Sequence, residues 1–163
     1  MPKSSIKVKG VQFKAISEED MAFLLHLYST TRWDEVLQAP WDDAQRHTFL
    51  KQQFQAQHSY YQSHYSKADY LLIIKDEKAI GRLYIDRDKT SICLIDITLI
   101  PECKYKGIGS QVLKELISEA QSSQKKIVIH VENYNPAYQW YLKLGFKQVE
   151  DKGVYQYMEW YPE

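Results

Sequence analysis

Apolar side chains change their spacing several times along the chain, and each change marks an element. Val11, Phe13 and Ala15 alternate with polar residues, as a short strand does. Ser17-Glu18-Glu19-Asp20 then offers an N-cap with an acidic partner three residues on, and Phe23, Leu24, Leu27 and Tyr28 share one face of the helix that follows. This helix is expected to run out near Thr30 or Thr31. An aromatic and charged connector, Arg32-Trp33-Asp34-Glu35 to Pro40-Trp41, leads to Asp42 and Asp43, which suit the first turn of a longer helix. The longer helix should reach about Tyr65, with Leu50, Phe54 and Tyr61 inward.

Tyr70 to Ile74 and Ala79 to Ile85 are β-rich runs joined by the polar turn Lys75-Asp76-Glu77-Lys78, a hairpin, and Ile92 to Ile100 adds a third strand of the same meander. The order then changes: a glycine-containing loop, a helix from about Ser110 to Ala120, a strand Lys126 to Glu132, a helix Pro136 to Leu144, and strands Phe146 to Val149 and Tyr155 to Trp160. That tail is a βαβ crossover with an added hairpin. The fold class is therefore α/β (α+β), with a mixed, mostly antiparallel central sheet flanked by helices.

Composition narrows the function. The 163 residues fall within the usual size of one domain, no linker divides them, and residues 1–163 are expected to form a single domain. Twenty-one basic residues balance 21 acidic ones, so no net field gathers nucleic acid or an anionic membrane surface. The expected partner is a small molecule or a defined peptide, without nucleic acid or membrane; a homodimer is left open. Met1-Pro2-Lys3-Ser4-Ser5 opens no signal-length apolar run, which points to the cytoplasm. Cys93 and Cys103 make no disulfide framework and are expected to be free thiols. No metal site is assigned.

Pro101 to Ser110 stands between a strand and an amphipathic helix carrying Val112, Leu113, Leu116, Ile117 and Ala120. Glycines at a helix entrance let backbone N–H groups approach a ligand where the helix end is electropositive, which makes an anion site. The Gly-Lys-Ser/Thr ending of a nucleotide-triphosphate loop is absent, and Val112 stands where a dinucleotide fingerprint needs its third glycine. Taken alone, Gly107 and Gly109 would fit an ordinary tight turn. Further on, Asn135 is an N-cap, Pro136 suits the first helical position and Gly145 the position after the last turn.

These two segments together resemble the acetyl-CoA signatures of the GCN5-related N-acetyltransferase (GNAT) superfamily. Lys104 to Gly109 matches Q/R-x-x-G-x-G/A with Lys104 in place of Gln or Arg, and Asn135, Ala137, Tyr141, Gly145 and Phe146 fall in register with N-x-A-x-x-x-Y-x-x-x-G-F. The resemblance extends from about Val11 to Trp160. It implies a GNAT fold that splays the strands Ile92 to Ile100 and Lys126 to Glu132, with acetyl-CoA (coenzyme A) between them. By the same resemblance Leu99 and Ile100 hold the acetyl-pantetheine end, and Lys104, Tyr105, Lys106, Gly107, Ile108, Gly109 and Ser110 hold the pyrophosphate. Asn135 and Tyr141 would lie near the thioester.

The implied reaction is transfer of an acetyl group from acetyl-CoA to a primary amine by direct attack in a ternary complex. The alternative is an inactive acyl-CoA-binding module of the same fold. A lysine-like amine is mostly protonated at neutral pH and needs a base, for which Asp96 is the first candidate and Glu132 the second, either through a water. Asp96 equally fits an outward-facing carboxylate paired with a lysine. Tyr141 is the candidate acid for the departing thiolate. Arg32, Trp33, Glu35 and Tyr84 are the acceptor candidates, while His130 and Cys103 are given no role. A solvated loop around two packed tryptophans accounts for the first three equally well.

Overall fold

The computed structural model describes residues 6–133 and 135–163, so Met1 to Ser5 lie outside it. One seven-stranded sheet runs in the order β1-β2-β3-β4-β5-β7-β6. Its strands are β1 (Gln12–Ala15), β2 (Asp69–Lys75), β3 (Lys78–Arg87), β4 (Ser91–Leu99), β5 (Lys126–Glu132), β6 (Lys147–Asp151) and β7 (Tyr155–Trp160). All neighbours pair antiparallel except β4 and β5, the crossover pair joined through a helix. The sheet is mixed and mostly antiparallel, as the strand and helix periods require.

Four α-helices flank it: α1 (Met21–Val36), α2 (Asp43–His64), α3 (Ile108–Ser123) and α4 (Ala137–Lys143). A 3-10 turn, Glu18–Asp20, leads into α1, and Asp20 accepts the Ser17 N–H at 2.8 Å. At α2 the capping box is complete: Asp42 accepts from the Gln45 N–H, and Gln45 accepts from the Asp42 N–H. The long apolar stripe of α3 explains its burial: Val112, Leu113, Leu116 and Ala120 are wholly buried beneath the sheet. A smaller core holds α1 and α2 to the opposite face through Leu24, Tyr28, Leu50, Phe54 and Leu72.

The first helix does not end at Thr31. Ser29, Thr30 and Thr31 donate their hydroxyls back to the carbonyls of Leu25, Leu27 and Tyr28, so three residues that favour a break are satisfied inside the helix. Arg32 to Glu35 are therefore helical, and the connector shrinks to the residues between Val36 and Asp43. The entry to α4 is also displaced by one residue. Asn135 Oδ1 accepts from the Ala137 N–H at 2.9 Å, and Pro136 is the residue before the first helical one.

Candidate active site

Two features of the sheet open a cleft. Pairing of β4 with β3 shifts between Tyr84 and Ile85, so that Tyr84 faces Asp96 and Ile85 faces Leu94, leaving Ile95 as an extra residue in β4. A one-residue slip moves every later side chain to the other face. Ile92 and Leu94 lie in the α3 core, and after the bulge Ile97 and Leu99 return to it, which turns Asp96 and Thr98 towards α2. On its other edge, β4 pairs with β5 only from Ser91↔Lys126 to Leu94↔Ile129. Both strands continue past that point without pairing to each other. The gap belongs to a cleft of about 830 Å³ lined by α1, α2, β3, β4, β5, α4, β7 and the loop before α3.

The glycine loop closes one end of this cleft, where Lys104, Tyr105, Gly107, Gly109 and Ser110 line it. Gly107 has φ +88°, a conformation that L side chains rarely adopt, and the Gln111 N–H bonds its carbonyl. Gly109 differs: a Cβ there would meet only Trp140, at 3.9 Å. Ahead of α3 the chain thus offers first-turn N–H groups towards the cleft, with the partial positive charge of a helix start. The donor-rich loop and the unpaired strand edges fit the two ends of an acyl-CoA, an anionic diphosphate and an amide-containing arm.

Tyr141 lines the cleft from α4, only 7% exposed, its ring packed by Trp140 and Phe146 at centroid distances of 5.2 and 5.4 Å. Burial, and secondarily the negative charge of Asp96, hold its phenol well above the usual tyrosine range. It therefore carries its proton at neutral pH. Asn135, Leu99, Asp96 and Glu132 also line the cleft.

Both carboxylates are paired with arginines, and for Asp96 the partner is not the lysine of its outward-facing alternative. Asp96 takes Arg82 on Oδ2 and the Thr98 hydroxyl on both oxygens, at 3.0 and 3.2 Å. Glu132 receives Arg32 Nη2 at 2.9 Å, an ion pair joining residues 100 apart in the chain. Arg32 also lies 3.9 Å from Glu35 and stacks over the Tyr28 ring at 5.4 Å.

Five assigned positions do not line the cleft. Trp33 turns to α2 and packs against His47 at 5.2 Å, since the extension of α1 rotates it away from Arg32, Asp34 and Glu35, which do line the cleft. Tyr84 is 1% exposed inside the sheet-helix layer, with Tyr70 and Tyr61 against its ring, so it cannot touch an acceptor in the cleft. The Ile100 N–H is already given to the Ile80 carbonyl at 2.8 Å, leaving Leu99 as the strand-end residue that lines the gap. Within the loop, Ile108 is buried in the core, and neither it nor Lys106 lines the cleft.

Several cleft residues had no sequence motif to announce them: Arg82, Gln57, Tyr61, Thr98 and Tyr155. Only Arg82 left a trace, as the one charged residue in the apolar run Ala79 to Ile85. Cys93 and Cys103 are free, and burial pushes the Cys93 thiol up to about 11, which keeps it from being a ready nucleophile.

Comparison with solved structures finds the same fold. The PaiA N-acetyltransferase of Thermoplasma acidophilum, in complex with coenzyme A, is 19% identical with a TM-score of 0.67, over 93% of this chain and 98% of that one. A GNAT family acetyltransferase of Elizabethkingia anophelis with acetyl-CoA bound is 15% identical with a TM-score of 0.58, over 94% and 99%. Arabidopsis thaliana Naa50, in complex with the bisubstrate analogue CoA-Ac-MVNAL, is 14% identical with a TM-score of 0.59, over 92% and 97%. No curated protein sequence matches significantly. The model of the acetyltransferase (GNAT) domain matches residues 29–162, a span that takes in the bulged strand, the glycine loop and the Tyr141 helix, and the chain therefore belongs to the GNAT acetyltransferase family.

Proposed function

We propose that the protein is an acyl-CoA-dependent N-acyltransferase, one domain across the chain, that moves an acetyl group from acetyl-CoA to a primary amine while both substrates are bound. The observation that carries this reading is the parallel β4–β5 ladder that stops at Leu94 and Ile129 while both strands run on, with the α3 start at one end of the gap and Tyr141 beside it. Unpaired strand edges are costly unless something else completes them, and an arm of amide groups would do so.

In this reading the backbone of the loop from Lys104 to Ser110 holds the pyrophosphate, and Leu99 and Asn135 hold the acyl end. Acetyl-CoA supplies an activated carbonyl carbon: the amine nitrogen forms the new C–N bond, the C–S bond breaks, and its electron pair leaves with sulfur. Tyr141 donates a proton to that sulfur, as a phenol that burial keeps protonated. Asp96 takes up the amine proton, through a water, on the oxygen that Arg82 leaves open. Glu132 and Arg32 with Glu35 shape the acceptor end.

Calorimetric titration with acetyl-CoA, followed by thiol release with a panel of primary amines, tests the proposal. Binding near one site per chain, a raised Tm and amine-dependent thiol release are expected. No heat and no thermal shift would overturn it; binding without thiol release for any amine would leave a binding module.

A further inference from the structure

Arg82 is the most deeply buried charge in the cleft wall, 4% exposed, and neither signature motif contains it. It stands on β3 opposite Thr98, while Asp96 stands opposite Tyr84, so guanidinium and carboxylate meet diagonally on the face that the Ile95 bulge turns towards α2. Three groups from three elements fix the guanidinium. Its Nε reaches Asp96 Oδ2, its Nη2 donates to Gln57 Oε1 of α2 at 2.9 Å, and its plane lies over the Tyr84 ring at 4.7 Å. The two carboxylate oxygens consequently differ. Oδ2 receives Arg82 and Thr98, whereas Oδ1 receives only the Thr98 hydroxyl, and the Asp96 side chain keeps 22% of its surface open on the cleft.

We propose that Arg82 is a positioning residue for acyl transfer: tied to α2 through Gln57, it takes up Oδ2 of Asp96 and leaves Oδ1 facing the cleft to accept the proton of the attacking amine. This rests on the N-acyltransferase reading above. The N–H bond of the amine breaks, a water carries the proton, and an O–H bond forms at Oδ1 while the nitrogen lone pair is freed for the acyl carbon. Buried guanidinium suits the task because its planar fork holds a carboxylate and an amide in one fixed geometry, whereas an ammonium is a point charge with rotatable donors. Tyr61 of α2, Tyr84 of β3 and Tyr141 of α4 feel the charge of Asp96, each raised chiefly by burial and neutral at neutral pH, and His58 of α2 is lowered by burial and by Arg82. Arg82 is therefore the counter-charge in direct contact with it, while Glu132 across the cleft is paired with Arg32.

The test compares wild type, Arg82→Met and Arg82→Lys by kcat and KM from initial rates of thiol release with one primary amine, beside calorimetric affinity for CoA without acceptor. CoA affinity should stay at the wild-type value, because Arg82 lies outside the pyrophosphate loop. Arg82→Met should lose about 10²-fold in kcat/KM at neutral pH, the low end for a misplaced proton acceptor. The loss should fall on kcat, with KM for the amine within a few-fold of wild type, because the acceptor end of the cleft is untouched. Arg82→Lys should recover only part of kcat, having charge without the fork.

A wild-type kcat in Arg82→Met, with only a lowered Tm, overturns the positioning role and leaves the acyltransferase reading intact. A wild type that acetylates no amine overturns that reading itself. Where Arg82→Met fails to fold, Gln57→Leu carries the test, loosening the guanidinium while keeping its charge. Its kcat should fall several-fold with CoA affinity unchanged, and an unchanged kcat overturns the role.

Discussion

Replacing Tyr141 by Phe removes one hydroxyl and leaves the ring that packs between Trp140 and Phe146. No hydrogen bond joins that hydroxyl to the described residues, so its loss breaks none, and the Tm should change by less than the equivalent of about 1 kcal/mol. The rate should respond very differently. Without a donor beside it, the departing sulfur must leave as a bare thiolate, and kcat should fall by about 10²-fold, or about 2.7 kcal/mol of transition-state stabilisation. Thiol release followed colorimetrically gives kcat, calorimetry gives the acetyl-CoA affinity, and a thermal melt with and without CoA gives stability. Affinity should stay within a few-fold of wild type, since the ring still walls the cleft. A Tyr141→Phe enzyme with wild-type kcat and only a lowered Tm would refute the argument and make the residue a packing element.

Gly107→Glu should abolish CoA binding, placing a side chain and a negative charge where an anion is meant to sit, and calorimetry would show it; retained affinity would mean the loop is misassigned. At the neighbouring glycine the outcome inverts: Gly109→Ala should raise the Tm slightly, because α3 tolerates a Cβ that meets only Trp140, whereas Gly107→Ala should lower it by forcing a side chain into φ +88°. Arg32→Gln removes a pair whose partners are each 25% exposed, so screening limits the loss to about 1 kcal/mol, or about 2–4 °C in a scanning melt. The alkaline limit of stability follows from Tyr61, Tyr65, Tyr84 and Tyr141, all raised chiefly by burial. Their unfolded forms ionise near about 10 and their folded forms higher, so stability is intact below that pH and is lost as pH rises through the folded values; Tm should be flat near neutrality and fall above about pH 10. A Tm that holds steady to higher pH would contradict their burial.

What the sequence determined by itself is what depends on neighbours a few residues away. Strand periods placed β2 to β5 nearly to the residue, the Asp42 box started α2, and the glycine before α3 needed only its own backbone conformation to be legible. The family signatures are local in the same sense, since backbone N–H groups at a helix start and a capped short helix are built from contiguous residues. Even here local rules failed at Thr30 and Thr31, because a hydroxyl that prefers to cap can also bond back within a helix, and packing of Leu24 and Tyr28 against α2 decided for the helix.

Only the tertiary structure decided which side chains share the cleft. The bulge at Ile95 is a property of β4 pairing with β3, and it alone turns Asp96 from the α3 core towards Arg82. Arg82 and Asp96 are 14 residues apart, Arg82 and Gln57 are 25, and Arg32 and Glu132 are 100; no periodicity reports such pairs. Tyr84 shows the same limit from the other side. A tyrosine near a strand end could face cleft or core, and the aromatic cluster of Tyr61 and Tyr70 fills the space beside its ring, taking it out of the site. Side-chain direction in a sheet is set by register, register by the partner strand, and the partner strand by the whole fold.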